Sequence, residues 1–259
     1  MVTRRDFLKL VGAAGVGMVA GGALIWKTMS MSDKKQSASL VNKPSPHTWV
    51  RFIASANETT EPSTINQNDH LNHYRVREVV PVRGEAPNIA PGWSVTRIET
   101  SMPISLSDES LFTRDPIQFY GVTQNLHYTS DAQRQELEKL SRSALEPSNQ
   151  TTTVLIPIGK SDEWWKLAQD QRQAYFQKTD RSEGHTAIGI KYADRIFRKL
   201  YHSRYLNAVF SYDFLTYFEF ENVYEKDFRT LLAQLRDIKS NPEWAFVDYE
   251  FEIWMTKNG

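Results

Sequence analysis

The sequence predicts an α+β fold made of two similar units with antiparallel sheets. The prediction comes from an order of elements that occurs twice. A strand-like segment at 117–128 is followed by a helical pattern and by a second strand at 152–158. The same order of strand, helix and strand returns about ninety residues later, starting with a strand at 212–221. The residues themselves show no repeat, so the predicted duplication rests on this order alone.

The first unit has a recognisable helix start. Residues 130–133 read Ser-Asp-Ala-Gln, which is the pattern of a capping box, and Leu137, Leu140 and Ala144 then fall on one helical face. The chain before this unit contains three further predicted strands, at 48–54, 74–82 and 94–104.

The second unit is equally patterned. Its helix has one apolar face, formed by Phe228, Leu231, Leu232, Leu235 and Ile238. Its last strand places alternate residues on one side, namely Ala245, Val247, Tyr249, Phe251 and Ile253. The segment 193–203 fits a helical stripe, but Ile196, Arg198, Leu200 and His202 equally fit one face of a strand. Periodicity leaves this segment open.

The N-terminus carries the pattern of an export signal. Arg4 and Arg5 precede an uncharged run at 10–26 that is rich in Gly and Ala, as in twin-arginine signals. A plain membrane anchor is the alternative, although Gly and Ala make the run weakly hydrophobic for a permanent span. No cleavage motif is obvious, so an uncleaved tether stays open. We predict export to the periplasm and the following organisation: a signal at 1–26, a polar linker at 27–46 and one domain at 47–259.

Composition excludes several classes of site. The 259-residue chain contains no cysteine, which excludes disulfides, zinc–thiolate sites, iron–sulfur clusters, cysteine nucleophiles and thioether-attached haem. A metal must therefore be held by histidine, by carboxylates or by a cofactor. The 31 basic and 31 acidic residues cancel and form no long basic run, so no nucleic-acid partner is expected.

Four short stretches in the second half of the chain carry most of the chemical information. They read PIGKSDEWW at 157–165, GHT at 184–186, RKLYHS at 198–203 and DFLTYFE at 213–219. In this order they resemble the chlorite dismutase family, which is related to the coproheme decarboxylases and the dye-decolourising peroxidases. The resemblance covers about residues 115–256. The spacing of thirteen residues between His185 and Arg198 also resembles that of the family.

The resemblance implies duplicated ferredoxin-like units whose antiparallel sheets form a haem-binding, barrel-like core. His185 would bind the iron of haem b as its fifth ligand and leave the opposite face open. Arg198 would lie on a strand in the distal pocket, where its planar guanidinium can hold a small oxyanion such as chlorite. Without the resemblance, a histidine after a glycine indicates a surface residue, and Arg198 indicates one charge of a solvated face.

Four more residues are candidate cofactor contacts. Thr216 and Phe218 share one face of their strand and would form an apolar wall at the haem, although ordinary sheet core requires the same orientation. Lys160 would pair with a haem propionate. Trp164 is the fourth candidate. The alternative is that at least one of Trp164 and Trp165 packs in the core or at a subunit interface.

Two features depart from the family pattern. Many members have a glutamate that accepts a hydrogen bond from the proximal imidazole. Counting along the chain, we expect that position to fall on Ser240, with Asp237 and Glu243 as the nearest acids, and hence a weaker proximal ligand. The loop from Trp165 to His185 is also several residues longer than in the best-known members.

The resemblance therefore predicts a haem b enzyme that decomposes chlorite to chloride and dioxygen, with Arg198 retaining hypochlorite for recombination. The alternative is an exported haem-binding protein or weak peroxidase, favoured by the missing glutamate. Coproheme decarboxylation is disfavoured, because Ile156 stands where that branch has a tyrosine and because that branch lacks the distal arginine. The family also implies a homo-oligomer, with a pentamer favoured.

Overall fold

The fold is seen in a computed structural model that describes residues 47–57, 70–101, 116–123, 150–204 and 212–257, together with residues 135, 139–141, 143–145 and 206. The strands in this part of the chain are β1 Trp49–Ser55, β2 His70–Arg83, β3 Ser94–Thr100, β4 Ile117–Val122, β5 Thr151–Lys160, β6 Phe197–His202, β7 Phe214–Glu221 and β8 Val247–Lys257. The helices are α1 Asp162–Lys166, α2 Gln169–Phe176, α3 His185–Ile190 and α4 Glu225–Arg236, with 3-10 helices at Asn222–Tyr224 and Pro242–Phe246.

The strands form a closed antiparallel barrel in the order β1-β3-β2-β8-β5-β7-β6-β4. The order divides into two equivalent halves, β4-β1-β3-β2 and β8-β5-β7-β6. If the strands of each half are numbered from one to four, both halves read 4-1-3-2, which is the ferredoxin-like order. The predicted α+β fold with duplicated units and a barrel-like core is therefore confirmed.

Strands β5, β7 and β8 of the second half are buried on both faces over most of their length. Alternate residues such as Leu155, Tyr217 and Phe251 point into the barrel and form its apolar interior. Their neighbours along the strands, including Ile156 and Phe218, point outward. Period-two alternation thus assigns one face of the sheet to the barrel core and the other to the layer that the helices cover.

Helix α4 packs on this outer face. Phe228 is buried completely and contacts the aromatic rings of Phe218, Phe220 and Trp254. The predicted apolar stripe is confirmed except at its end. The helix stops at Arg236, so Ile238 lies beyond it and is exposed.

Several local predictions can be compared with the described residues. The ambiguous segment contains strand β6, preceded by a turn in which the Ile196 N–H donates to the Tyr192 carbonyl. Ala245 lies in a 3-10 helix rather than in β8. Leu140 is exposed and does not face the core. The capping box at 130–133 and the ends of two predicted strands lie outside the described residues.

The described residues contain no helix with the length and hydropathy required to cross a membrane. Residues 1–46, on which the predicted signal and linker fall, lie outside the part of the chain that the structure describes.

Candidate functional site

A cavity lies between the outer face of β5, β6, β7 and β8 and the segments that cover this face. It encloses about 750 Å³ of space between atoms, its open mouth included. Most of its lining is apolar, and the strands contribute Ile156, Ile158, Leu200, Phe214 and Phe218. Charged side chains enter it from several elements, so the cavity combines an apolar wall with a few placed polar groups.

His185 reaches the cavity from the first position of α3, directly after a strained turn. Gly184 has a φ of 76°, a backbone conformation that residues other than glycine rarely adopt. A Cβ atom at this position would lie 2.5 Å from the carbonyl oxygen of Gln177. The Gly184 N–H also donates to the Ser240 carbonyl at 2.9 Å. Glycine is therefore required here, and the turn fixes where the imidazole enters the cavity.

The imidazole of His185 belongs to a chain of three polar side chains. Its Nδ1 lies 2.8 Å from Oε2 of Glu243, and Oε1 of Glu243 lies 2.6 Å from Nζ of Lys160. The side chains of Lys160 and Glu243 are only 5% and 7% exposed. Burial by itself would raise the pKa of Glu243, but the charge of Lys160 and the contact with His185 hold it well below its usual range.

This chain of contacts sets the tautomer of the imidazole. An ionised Glu243 can only accept hydrogen bonds, so Nδ1 of His185 must carry the proton and donate it. In the neutral ring, Nε2 then keeps its lone pair and can bind a metal. The carboxylate also makes that nitrogen a stronger donor to the metal, as partners beyond the ligands of a metal site commonly do.

The expectation that Ser240 takes the place of the proximal glutamate is wrong. Ser240 donates from Oγ to Asp237 at 2.6 Å and has no contact with the imidazole. Glu243 fills the role instead, because the chain turns into the 3-10 helix Pro242–Phe246 and brings its carboxylate inward. The predicted weakening of the proximal ligand is withdrawn with it.

The structure shows what surrounds two further predicted cofactor contacts, which stay predictions. Lys160 lines the cavity, and its ammonium pairs with Glu243. Trp164 is not part of the lining that the described residues form. It is buried beside Tyr175 and Phe246, and its ring lies 4.8 Å from Nζ of Lys160. It therefore packs behind the lysine, which agrees with the alternative of a core residue.

The remaining predicted residues meet in the same cavity. Arg198 on β6 pairs in register with Phe218 on β7, and Leu200 pairs with Thr216. All four line the cavity. The side chain of Arg198 forms no hydrogen bond or ion pair with any residue that the structure describes. Arg198 lines the cavity but stays exposed to solvent, and a guanidinium remains protonated in proteins, so it presents a charged fork of donors there.

Sequence reasoning missed four further residues that line the cavity, namely Arg236, Asn241, Trp244 and Glu250. Arg236 lies 2.5 Å from carboxylate oxygens of both Glu250 and Glu252. The two glutamates alternate with the apolar residues of β8, a pattern that normally indicates a solvated face. A partner such as Arg236 can be identified only when α4 is placed over the strand.

Comparison with known proteins agrees with this geometry. The chlorite dismutase family profile matches residues 99–251. The chain is 30% identical over 122 residues to the chlorite dismutase of Ideonella dechloratans, an alignment that covers 47% of this chain and 39% of that protein. The aligned part thus spans less than half the length of that relative.

Solved structures extend the similarity over most of the chain. The dimeric chlorite dismutase from Nitrobacter winogradskyi is 28% identical, with a TM-score of 0.60 over 80% of this chain and 99% of that one. A mutant chlorite dismutase from Candidatus Nitrospira defluvii has the same fold at 20% identity, with a TM-score of 0.55 over 82% of this chain and 91% of that one. With the family profile covering more than half of its residues, the chain belongs to the chlorite dismutase family.

Proposed function

We propose that the protein is a haem b enzyme that converts chlorite to chloride and dioxygen. One observation carries the proposal. One cavity contains an imidazole oriented by an ionised carboxylate and, on another element, an arginine that forms no ion pair or hydrogen bond with a described residue. The first suits an iron ligand, and the second suits a small oxyanion. The relatives described above are named chlorite dismutases, which supports the same substrate.

The residues present fit a haem. His185 would offer one nitrogen ligand to the iron of a haem, and the porphyrin would supply the remaining nitrogen ligands. Apolar side chains such as Ile156, Leu200 and Phe218 would pack against the macrocycle. When bound, the haem supplies the redox-active iron at which the chlorine–oxygen bonds of chlorite are broken.

The proximal residues hold a proton in place. Glu243 accepts the Nδ1 proton of His185 and so keeps Nε2 available, while Lys160 keeps Glu243 ionised. This arrangement removes the argument for the alternative function, a haem-binding protein or weak peroxidase, because that alternative was favoured by a missing glutamate.

Arg198 acts on the substrate side. Its guanidinium can hold chlorite on entry and retain hypochlorite until the two oxygen atoms are joined. A hydrogen bond to a charged group contributes about 1.5–3 kcal/mol, so losing this contact should reduce productive recombination roughly ten- to a hundred-fold. Leu200, Thr216 and Phe218 line the same cavity and make the wall near Arg198 largely apolar.

Oxygen evolution by the purified, haem-loaded protein given chlorite tests the proposal. The wild type should evolve oxygen, and His185→Ala should lose stoichiometric haem binding. Arg198→Ala should keep the Soret band, release more hypochlorite to a chlorination trap and bleach faster. Arg198→Lys should be intermediate, because the charge stays while the planar fork is lost. A haem-loaded wild type that makes no oxygen from chlorite would refute the function.

The proposal includes a homo-oligomer, for which the family resemblance favours a pentamer. The Nitrobacter winogradskyi relative is described as dimeric, which supports assembly but favours a smaller number of subunits. Light scattering of the purified protein distinguishes the two, and a monomer would contradict both.

A further inference from the structure

Glu250 is a buried acid in the cavity wall to which the proposed reaction assigns no role. It lies on β8, opposite Ile158 of β5, and is 2% exposed. Its Oε1 accepts from Nε and Nη2 of Arg236 at 3.2 and 2.5 Å. Its Oε2 is buried and has no hydrogen-bond partner among the described residues. An ionised carboxylate would thus leave one charged oxygen without a donor, which is costly in a buried site.

The neighbouring charges explain why this acid rather than the next one is incompletely bonded. Glu252 lies two residues along the same strand and uses the same Nη2 of Arg236. Its other oxygen accepts from the indole N–H of Trp254 at 2.5 Å, so Glu252 is bonded at both oxygens. Two buried carboxylates around one guanidinium cannot both ionise without cost, and the proton falls to the less well bonded one.

The ionisation behaviour of Glu250 agrees with this geometry. Burial raises its pKa to about 7, and the nearby charge of Glu252 adds to the effect, whereas Arg236 and Lys160 oppose it. The charged and titratable groups on the surrounding elements are Arg83 on β2, Lys160 on β5, His185 on α3, Arg198 on β6, Arg236 on α4, Glu243 in the 3-10 helix and Glu252 on β8 itself. Among these, Lys160 interacts electrostatically with both Glu250 and Glu243.

We propose that Glu250 is a positioning residue that tunes the proximal ligand: the charge it carries adjusts, through Lys160, how strongly Glu243 accepts the hydrogen bond from His185. When Glu250 is neutral, Lys160 stabilises the charge of Glu243 alone, and Glu243 is a weaker acceptor. When Glu250 ionises, the Lys160 ammonium interacts with two negative charges instead of one, and a further negative charge lies near Glu243. Glu243 therefore becomes more basic. Its stronger hydrogen bond makes His185 more electron-rich, which favours ferric over ferrous iron.

The first test needs no haem. Infrared difference spectra of the apo protein, titrated with acid and base, should show a buried carboxylic acid band that is lost between about pH 6 and pH 8. Glu250→Gln should remove that band. Glu252→Gln is the matched control, because it changes the same atoms two residues away. It should retain the band and shift its loss to lower pH, since Arg236 then serves one carboxylate. A wild-type spectrum without such a band would overturn the proposal.

The second test measures tuning and rests on the proposed haem-binding function. The reduction potential of the haem-loaded wild type should fall as the pH rises through the same range. This step should be absent from Glu250→Gln and displaced to lower pH in Glu252→Gln. A purely structural role would give both variants the same potential profile and would refute the tuning. Haem-loaded protein without chlorite activity would still show the step, so failure of the proposed function and failure of this inference are separate results.

Discussion

The chain of His185, Glu243 and Lys160 predicts a large and specific loss of stability when its centre is neutralised. In Glu243→Gln the side chain keeps its size but loses its charge. The ammonium of Lys160, 5% exposed and 2.6 Å from Glu243 in the wild type, would then be buried without an anionic partner. Removing one member of a buried ion pair costs about 3–5 kcal/mol. We expect a loss of that size in the free energy of unfolding of the apo protein, measured by urea denaturation.

A second substitution isolates the cause of this loss. Lys160→Met removes the unpaired ammonium and replaces the lysine by an unbranched apolar side chain of similar length. The double variant should therefore be more stable than Glu243→Gln alone, because replacing both members of a buried pair is much less costly than removing one. Two results would refute the reasoning: a loss below about 1 kcal/mol in Glu243→Gln, or a further loss when Lys160→Met is added.

The same pair gives a pH dependence with a definite sign. The pKa of Glu243 is lower in the folded protein than its ordinary value of 4.5. Its contribution to stability is therefore complete above about pH 4.5 and is lost as the pH falls toward the folded-state pKa. The wild type should lose stability on acidification below that point. Glu243→Gln should lose less over the same interval, since it has no carboxylate to protonate at this position.

Two further predictions concern the turn before the ligand and the N-terminus. Gly184→Ala should destabilise the protein and lower its haem affinity, because Ala would be strained at a φ of 76° and its Cβ would meet the Gln177 carbonyl. Gly189→Ala, in the short helix that follows Gly184, is the control. It should be neutral or slightly stabilising, since nothing lies within 4 Å of its added Cβ. Equal effects of the two substitutions would contradict the role of the turn. Replacing Arg4 and Arg5 with Lys should retain the protein in the cytoplasm if residues 1–26 are a twin-arginine signal, and normal periplasmic recovery in a fractionation assay would refute that signal.

Much of the distal side of the site could be predicted from the sequence, because its pattern is local. Thr216 and Phe218 are two residues apart on a strand, so they must share a face wherever the strand packs. The ambiguous segment around Arg198 resolves as a strand once it pairs with β7, since Arg198 then faces the same side as Phe218. Here a short-range pattern and one strand pairing are sufficient to build a wall of the cavity.

The proximal side could not be predicted in the same way. Counting residues toward the expected glutamate position reaches Ser240, because counting assumes that the chain keeps one conformation. Pro242 begins a 3-10 helix in the structure and changes which side chain turns inward. The pairing of the buried Glu250 with Arg236 is likewise hidden from the sequence, since it depends on where α4 ends above β8. Contacts between distant segments decide both cases.

The two faces of β7 show why the cavity geometry depends on the barrel interior. The strand alternates between Thr216 and Phe218 on the cavity side and Tyr217 and Glu219 on the interior side. Inside the barrel, the Tyr217 hydroxyl contacts the Tyr74 hydroxyl at 2.8 Å and donates to Glu219.

A shift of β7 by one residue would move every side chain to the opposite face. Tyr217 and Glu219 would then enter the cavity, while Thr216 and Phe218 would replace them in a polar network that they cannot complete. Glu219 is fully buried and lies 3.2 Å from Nζ of Lys257, so the shift would also break a buried ion pair. Because buried polar networks are costly when only partly bonded, the interior opposes the shift strongly. The register that presents Thr216 and Phe218 beside Arg198 is therefore held by residues that never touch the cavity.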